Sequence, residues 1–236
     1  MNAIILAAGM GTRLRPLTND IPKCLVPVCG TPMIERQIDL LHDAGIKDIV
    51  VVSGYQAGRL DYLRDKYGVQ IVFNEQYDTC NNIYSLYKVI NSFGDSWVVE
   101  GDVYIHENCF TRDIDKSTYF AKWHPHYDNE WGLVTDASSR LININIGSGQ
   151  GLVMSGISYW TELVAEFIRN DIGTTINCGV YSNLFWDDSV VKLYRSQDIY
   201  VERFDDIYEI DTVQELQQVE SLLNRANYMK TIANSY

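Results

Sequence analysis

Gly9, Gly11 and the cations Arg13 and Lys23 lie near the start of the chain, in the run Leu6–Lys23, which reads LAAGMGTRLRPLTNDIPK. Gly9 and Gly11 permit tight backbone geometry and let amide N–H groups approach phosphate oxygens without a Cβ in between. Arg13 supplies a forked cation that suits phosphate oxygens, and Lys23 supplies a mobile point charge further along the run. Together these residues predict a site for a polyphosphate.

The spacing of this run excludes two other phosphate-binding loops. It is not a Walker A loop, because no GK[ST] follows the glycines, and it does not fit the dinucleotide fingerprint GxGxxG. Thr12 adds a hydroxyl donor beside Arg13. A tight turn between a strand and a helix would explain the two glycines alone, but not the threonine, arginine, proline and lysine that accompany them.

The charge of the chain bears on what it binds. A formal net charge of −12 over 236 residues argues against a nucleic-acid partner, because nucleic-acid surfaces gain affinity by neutralising phosphates with Lys and Arg. A protein this acidic that handles a triphosphate must concentrate its few cations at the site or recruit Mg²⁺. The clustered cations of the glycine-rich run are therefore more informative than they would be in a basic protein.

The cysteines and the hydropathy indicate a cytoplasmic protein. Five cysteines, an odd number without a CxxC pair, argue against both a disulfide framework and a zinc site. The apolar start Met1–Ala8 lacks the basic leader of a secretory signal, so we interpret it as a buried first strand. No stretch is long and apolar enough to span a bilayer, and we expect no membrane insertion.

The elements that must position these residues begin with a strand at 3–8, a helix at 33–44 that ends at Gly45, and a strand at Ile49–Val52. This order predicts an α/β fold with a doubly wound, mostly parallel, Rossmann-like mixed sheet, whose ligands bind at the carboxyl ends of the strands. We predict further helices at Tyr55–Tyr67 and Asn82–Ser92, and further strands at Val69–Phe73 and Ser96–Val99.

After residue 115 the pattern changes to shorter β-like pieces that are rich in aromatic residues, which predicts a small β-rich arm facing the substrate. These pieces are Tyr119–Trp123, Trp131–Thr135, Leu141–Ile146 and Gly156–Tyr159. The segment Val213–Ala226 has one apolar face and predicts an amphipathic helix. We expect a single domain over 1–236, with a nucleotide-binding half at 1–114 and an acceptor-binding half at 115–236.

The glycine-rich run and the residues after it resemble the sugar-phosphate nucleotidyltransferases, whose signature is LAAGxGTRLxPLT, a short gap, PKxLxPV and PMI. The matching residues are Leu6–Thr18, Pro22, Lys23, Leu25, Pro27, Val28, Gly30 and Pro32–Ile34. The resemblance implies that Arg13 and Lys23 act on the triphosphate as catalytic cations. It also implies a nucleotide-binding backbone formed by Leu6, Ala7, Ala8, Gly9, Gly11 and Thr12.

The same resemblance implies a Mg²⁺ site formed by Asp102, in VVEGDVY, and Asp211, in YEIDT. Two aspartates suffice, because Mg²⁺ takes few carboxylates and completes its shell with phosphate oxygens and water. The alternatives are that Asp102 caps a turn and that Asp211 caps the last helix. A phosphomonoester acceptor is largely deprotonated near neutral pH, so attack on the α-phosphorus requires no general base.

Several later segments resemble the short bacterial cytidylyltransferases that make CDP-choline from CTP and phosphocholine. They are CNNIYSL at Cys80–Leu86, STYF at Ser117–Phe120, NEW at Asn129–Trp131, FWDD at Phe185–Asp188 and YEIDTVQEL at Tyr208–Leu216. This resemblance implies that Asn82 and Ser85 bind the base of the nucleotide. The alternative for Asn82 is that it caps the helix that follows.

A quaternary ammonium cannot donate a hydrogen bond, so aromatic faces and carboxylates must recognise it. The chain offers such residues in adjacent pairs, and we predict an acceptor site formed by Glu130, Trp131, Trp186, Asp187 and Tyr208. Core packing is the alternative for any single tryptophan, and we assign Trp97 to the core.

Other acceptors and functions stay open. Choline-type relatives carry an acidic-Ala-Asp-Asn run where this chain has Glu100–Val103, which bears on the acceptor. The primary ammonium of 2-aminoethylphosphonate would need hydrogen-bond acceptors, which Glu130 and Asp187 also provide. The remaining alternative functions are a sugar-1-phosphate nucleotidyltransferase using UTP or dTTP and a non-catalytic nucleotide-binding module. Assembly as a homo-oligomer is also open.

Overall fold

Eleven strands and six α-helices make up residues 1–233, the part of the chain that the computed structural model describes, with side chains described to residue 225. The strands are β1 Asn2–Ala7, β2 Pro27–Val28, β3 Thr31–Pro32, β4 Ile49–Ser53, β5 Gln70–Phe73, β6 Ser96–Glu100, β7 Val103–Ile105, β8 Ser117–Thr135, β9 Leu141–Trp160, β10 Ile199–Arg203 and β11 Ile207–Glu209. The helices are α1 Met33–Asp43, α2 Tyr62–Tyr67, α3 Ile83–Lys88, α4 Glu162–Asn177, α5 Asp187–Leu193 and α6 Val213–Ala233. The predicted single domain also includes 234–236, which lie outside the described residues.

Seven of the strands form one sheet in the order β10-β8-β9-β6-β1-β4-β5. β1 pairs in parallel with β4 and β6, β4 pairs in parallel with β5, and β10 pairs in parallel with β8. The hairpin β8–β9 is antiparallel, and β9 joins β6 in antiparallel orientation. The prediction of a mixed, mostly parallel sheet is confirmed.

Both faces of this sheet are buried, because the central strands carry apolar side chains on both faces. In β1, Ala3 and Ile5 face one core, and Ile4 and Leu6 face the other. Helix α1 packs on the first face, and α3, α4 and α5 pack on the second. This three-layer arrangement is the doubly wound architecture that the sequence predicts.

The arm is longer and more continuous than the separate pieces predicted for it. All four predicted pieces lie within β8 and β9, which contain 19 and 20 residues. Bulges curl β8 so that Gly132 pairs with both Val153 and Asn145. The ring of Tyr127, 7% exposed, fills the space beside Gly132, where an added Cβ would lie 2.0 Å from the tyrosine hydroxyl oxygen.

A third, smaller core joins the loop after β1 to the end of the chain. It contains Leu14, Val26, Val28, Met33, Tyr104, Ile210, Leu216, Val219 and Leu223. The loop after β1 is thereby held against β7, β11 and α6, although more than 180 residues separate it from α6 in the chain. This packing brings the cations of the loop to the acidic residues near the carboxyl terminus.

The remaining predictions of secondary structure were partly wrong. The helix expected at 55–67 is a 3₁₀ turn at Ala57–Leu60 followed by α2, and the helix expected at 82–92 is α3 followed by a 3₁₀ turn. Sequence analysis assigned nothing to α4, α5 and β10. In α4 the exposed face carries Leu163 and Phe167, which obscures its amphipathic pattern. Within the described part of the chain, no helix combines the length and hydropathy that crossing a bilayer requires.

Candidate active site

The end of β1 opens into a cleft, here called the motif cleft, with a volume of about 280 Å³. Four of the predicted nucleotide-binding residues, Leu6, Ala7, Ala8 and Gly9, line it in sequence. Parallel strands end on both sides of β1, so the cleft lies at the carboxyl edge of the sheet. The other lining residues are Lys23, Cys24, Asn74, Tyr77, Cys80, Asn81, Asn82, Ser85, Glu100, Gly101, Asp102 and Phe185.

Gly11 is required by a close approach and by backbone geometry. Its φ is +58°, and an added Cβ would lie 2.8 Å from the Cβ of Lys23. The Thr18 hydroxyl donates to the Gly11 carbonyl over 2.7 Å and fixes this turn. Gly11 and Thr12 lie outside the lining of the motif cleft, and Thr12 is exposed. Gly11 therefore shapes the loop and positions Lys23.

The two predicted cations and the two predicted metal ligands meet in one network. The Lys23 ammonium lies 2.6 Å from Asp102 Oδ2 and 2.5 Å from Asp211 Oδ1. Arg13, whose side chain is 69% exposed, contacts the other oxygen of Asp211 over 2.8 Å. Burial alone would lower the pKa of Lys23, but Asp102 and Asp211 outweigh it and raise that pKa. Lys23 is thus a fully charged ammonium between two carboxylates.

Strand pairing and a helix cap bring these carboxylates together. β7 and β11 pair in antiparallel orientation with Val103 opposite Glu209, which places Asp102 beside the end of β11. Thr212 and Glu215 form a capping box at the start of α6, with Thr212 Oγ1 accepting from the Glu215 amide over 3.2 Å and Glu215 Oε2 accepting from the Thr212 amide over 2.8 Å. The interpretation of Asp211 as the helix cap is therefore wrong, and its side chain is free to join the network.

Glu209 is a third carboxylate at this point, which sequence analysis did not assign to the metal site. Oxygen atoms of Asp102, Glu209 and Asp211, the carboxylate cluster, lie within 4.8 Å of one another. Desolvation and the charges of Asp102 and Asp211 raise the pKa of Glu209 to about 8. Such a crowded set of hard oxygen donors could hold a divalent cation. The signal for it was the spacing of Glu209 and Asp211, two residues apart along an extended segment.

Asn82 and Ser85 both line the motif cleft, but their side chains already have protein partners. Ser85 accepts a hydrogen bond from the Asn74 amide over 2.9 Å. Asn82 donates to Glu100 Oε1 over 2.9 Å and accepts from the backbone amide of Trp186 over 3.0 Å. Asn82 occupies the N-cap position of α3, but its side chain makes no capping hydrogen bond and is directed to these two partners instead.

Four of the five predicted acceptor residues line a second cavity of about 140 Å³, the aromatic cavity. They are Glu130, Trp131, Trp186 and Asp187. Tyr119 and Phe185 add two further rings that were not predicted. The aromatic cavity shares Glu100 and Phe185 with the motif cleft, so the two spaces lie on either side of one wall.

The tryptophans of the aromatic cavity differ in how much of each ring is available. Trp186 is 3% exposed and packs edge to face against Trp160 and Phe93, so much of it belongs to the core. Trp131 is half-buried and meets Phe185 edge to face at 6.2 Å. Trp131 therefore offers more of its ring to a ligand than Trp186 does. Trp97 is fully buried, as predicted.

The acidic side chains of the aromatic cavity are held in distinct environments. Asp187 accepts a hydrogen bond from the Tyr119 hydroxyl over 2.7 Å, and burial raises the pKa of Asp187 to about 7 against the effect of this bond. Burial and the charge of Asp211 raise the pKa of Glu130, while Arg13 lowers it. Both groups would lose protons more readily once a cation occupied the cavity.

Tyr208, the fifth predicted acceptor residue, does not line the aromatic cavity. It lines a third space, the arm cavity, with Lys122, His124, His126 and Tyr127. The ammonium of Lys122 lies 3.8 Å from the centre of the Tyr208 ring and donates to the Ile207 carbonyl over 2.6 Å. One face of Tyr208 is thus occupied by a cation of the protein itself, so the structure does not group Tyr208 with the aromatic cavity.

Comparisons with known proteins agree with these features. The sequence profile of the nucleotidyl transferase family matches residues 2–132. Choline-phosphate cytidylyltransferase of Streptococcus pneumoniae is 42% identical over 96% of this chain and 100% of its own length. 2-Aminoethylphosphonate cytidylyltransferase of Lancefieldella rimae is 34% identical over 91% of this chain and 90% of its own. The solved structure of CTP:phosphocholine cytidylyltransferase from Streptococcus pneumoniae matches with a TM-score of 0.92 at 42% identity, covering 94% of this chain and 98% of that one.

Proposed function

Since the chain belongs to the nucleotidyl transferase family, we propose that it transfers the cytidylyl group of CTP to phosphocholine. A phosphate oxygen of phosphocholine forms a bond to the α-phosphorus of CTP, and the bond from that phosphorus to the bridging oxygen of pyrophosphate breaks. The products are CDP-choline and pyrophosphate. The observation that carries this proposal is the aromatic cavity, with its acidic side chains, on the other side of one wall from the motif cleft.

CTP would occupy the motif cleft, where the backbone of Leu6–Gly9 lies at the carboxyl edge of the sheet. Amide groups without bulky neighbours can approach the phosphates there. Lys23 lines the cleft and Arg13 shares Asp211 with it, so these two cations would neutralise the triphosphate. Each is paired with carboxylates, so a triphosphate would compete for them.

The carboxylate cluster suits the cation that such a reaction uses. Asp102, Glu209 and Asp211 together form a hard-oxygen donor set that fits Mg²⁺, which accepts a few carboxylates and keeps room for phosphate oxygens. When bound there, Mg²⁺ would neutralise negative charge that develops on the transferring phosphate. The protein needs no general base, because phosphocholine already carries an ionised phosphate near neutral pH.

The trimethylammonium group would occupy the aromatic cavity. Each contact of a desolvated cation with an aromatic face contributes about 0.5–2 kcal/mol. Trp131, Phe185 and Tyr119 provide such rings, and Glu130 and Asp187 provide negative charge. Glu130 also lies near Asp211, so the acidic lining continues from the carboxylate cluster into the aromatic cavity.

An assay of pyrophosphate release tests the proposal. It pairs each of CTP, UTP, ATP and dTTP with each of phosphocholine, 2-aminoethylphosphonate and glucose-1-phosphate. We expect turnover with CTP and phosphocholine well above every other pair. Turnover confined to a sugar phosphate would overturn it. No turnover with any pair, in a folded protein supplied with Mg²⁺, would favour a non-catalytic nucleotide-binding module.

A second candidate acceptor is 2-aminoethylphosphonate, which the similarity to the Lancefieldella rimae enzyme favours. Its primary ammonium donates hydrogen bonds, so carboxylates would matter more than ring faces. The kcat/KM of Asp187→Asn, measured with phosphocholine and with 2-aminoethylphosphonate, distinguishes the two acceptors. A larger loss for 2-aminoethylphosphonate than for phosphocholine is expected if the cavity can accept both.

A further inference from the structure

The wall between the motif cleft and the aromatic cavity contains a closed set of hydrogen bonds. Asn82 Nδ2 donates to Glu100 Oε1 over 2.9 Å, and Asn82 Oδ1 accepts from the backbone amide of Trp186 over 3.0 Å. The indole N–H of Trp186 donates to the same Glu100 oxygen over 3.4 Å. Three residues from α3's amino end, β6 and the start of α5 are thereby tied together.

These bonds fix one residue at two separate points. The backbone of Trp186 is held by Asn82, and its indole ring is held by Glu100. The rest of the ring is packed against Tyr119, Phe93 and Trp160. A side chain held in this way keeps one rotamer. Because Phe185 is the residue before Trp186, its backbone is held in place as well.

Phe185 is the residue of this wall that faces both spaces. It lines the motif cleft and the aromatic cavity, and its ring meets Trp131 across the latter. The backbone position of Phe185 therefore sets the spacing between its ring and Trp131. A ligand recognised by ring faces is sensitive to that spacing, because cation–π attraction requires the cation close to each centroid.

We propose that Asn82 and Glu100 are positioning residues for the acceptor, which hold the Phe185–Trp186 wall of the aromatic cavity, and that Asn82 does not select the base. This inference rests on the proposed function, since it assigns these residues to the phosphocholine side of the reaction. It reassigns Asn82, which sequence resemblance groups with the nucleotide-binding residues.

The first test is Asn82→Ala, assayed by pyrophosphate release. Loss of the two hydrogen bonds of the Asn82 side chain is expected to raise the KM for phosphocholine about tenfold and to leave the KM for CTP and the CTP to UTP preference within about twofold. Ser85→Ala is the matched variant, because Ser85 lines the same cleft and lies outside the aromatic cavity lining. It is expected to affect the CTP KM in preference to the phosphocholine KM.

Glu100 gives an independent test. Glu100→Gln retains an oxygen that accepts both bonds, so its KM for phosphocholine is expected to stay close to that of the wild type, whereas Glu100→Ala is expected to raise it as Asn82→Ala does. Near-ultraviolet circular dichroism reports the packing of Trp186 and the rings around it. It should change in Asn82→Ala and Glu100→Ala and not in Glu100→Gln.

Three results would overturn the inference. One is a change of CTP KM or base preference in Asn82→Ala with an unchanged phosphocholine KM. Another is an equal rise of both KM values, which is the result of general distortion. The third is a loss in Glu100→Gln as large as in Glu100→Ala, which would make Glu100 a charge partner of the ammonium. Wild-type protein that fails to use phosphocholine would instead overturn the proposed function.

Discussion

The motif cleft and the aromatic cavity are built in different ways, although they share a wall. One side of the motif cleft is a single contiguous segment, Leu6–Gly9, at the carboxyl end of β1. The aromatic cavity draws its rings from three places in the chain, the start of β8, the bend of the arm and the segment before α5. Backbone recognition of phosphates tolerates little variation, whereas a cavity of side chains can be altered one ring at a time.

The largest loss of activity is expected from a change in the carboxylate cluster, which lies between the motif cleft and the aromatic cavity. Asp211→Asn keeps the shape of the side chain but removes a charge from the carboxylate cluster. We expect a fall in kcat of at least about 100-fold, because a bound divalent cation supplies several kcal/mol of transition-state stabilisation. Single-turnover measurements with saturating substrates would show it.

Asp198→Asn is the matched control, since Asp198 pairs with Arg140 on the surface away from the carboxylate cluster. It removes the same charge and is expected to leave kcat unchanged. Wild-type turnover in Asp211→Asn would show that Asp211 takes no part in the reaction.

What could be predicted from sequence follows the same division. The central strands, α1 and the glycine-rich loop were predicted because each is determined locally, by an apolar run, by helical spacing or by glycines at fixed offsets. Glu209 and Tyr119 were not assigned to the site, because their roles come from strand pairing with β7 and from packing under α5. Tyr208 was grouped with the residues of the aromatic cavity although it lines the arm cavity, because the sequence cannot show that Lys122 covers its ring.

A second prediction tests whether the arm must be built around Tyr127 for the acceptor side to work. Gly132→Ala would place a Cβ 2.0 Å from the Tyr127 hydroxyl oxygen, so the ring must move or the arm must open. We expect a loss of about 1–3 kcal/mol in the free energy of unfolding, as for an overpacked core. The KM for phosphocholine should rise with the KM for CTP unchanged, because Tyr127 and Glu130 share the arm cavity.

Denaturant titration measures the stability change, and Gly173→Ala is its control. An added Cβ at Gly173 meets nothing within 4 Å in α4, so this variant should gain about 0.5–1 kcal/mol from helix propensity. If Gly132→Ala had wild-type stability, the arm would be flexible enough to accept the extra methyl group, and Tyr127 would not fix its shape.

A third prediction concerns a single ring of the aromatic cavity, that of Trp131. Trp131→Ala is expected to raise the KM for phosphocholine about tenfold and to leave the KM for CTP nearly unchanged, since one cation–π contact is lost on the acceptor side only. Trp123→Ala is the control, because Trp123 lies on the same strand, 43% exposed and outside the aromatic cavity. Equal KM changes for both substrates would assign Trp131 to packing.

The smallest expected effect concerns the charged junction of the two regions, in the absence of any nucleotide. The Lys23 ammonium lies between Asp102 and Asp211, so the protein already supplies a cation at the position where those carboxylates converge. Lys23→Met should strengthen the binding of Mn²⁺, measured by electron paramagnetic resonance, by about fivefold. A unit charge and a double charge about 4 Å apart in a water-like dielectric repel by about 2 kcal/mol, and salt screening together with movement of the lysine side chain away from the metal reduces the expected gain to about fivefold.

Lys47→Met is the control for this measurement, since Lys47 is an exposed lysine whose removal changes the net charge equally. Lys23→Met should also weaken CTP binding, because the same ammonium is expected to contact the phosphates. Opposite changes in metal and nucleotide affinity would identify Lys23 as a cation that the triphosphate draws away from the carboxylates. Unchanged Mn²⁺ binding would mean that the carboxylate cluster accepts a metal without moving Lys23, and the two regions would then be charged independently.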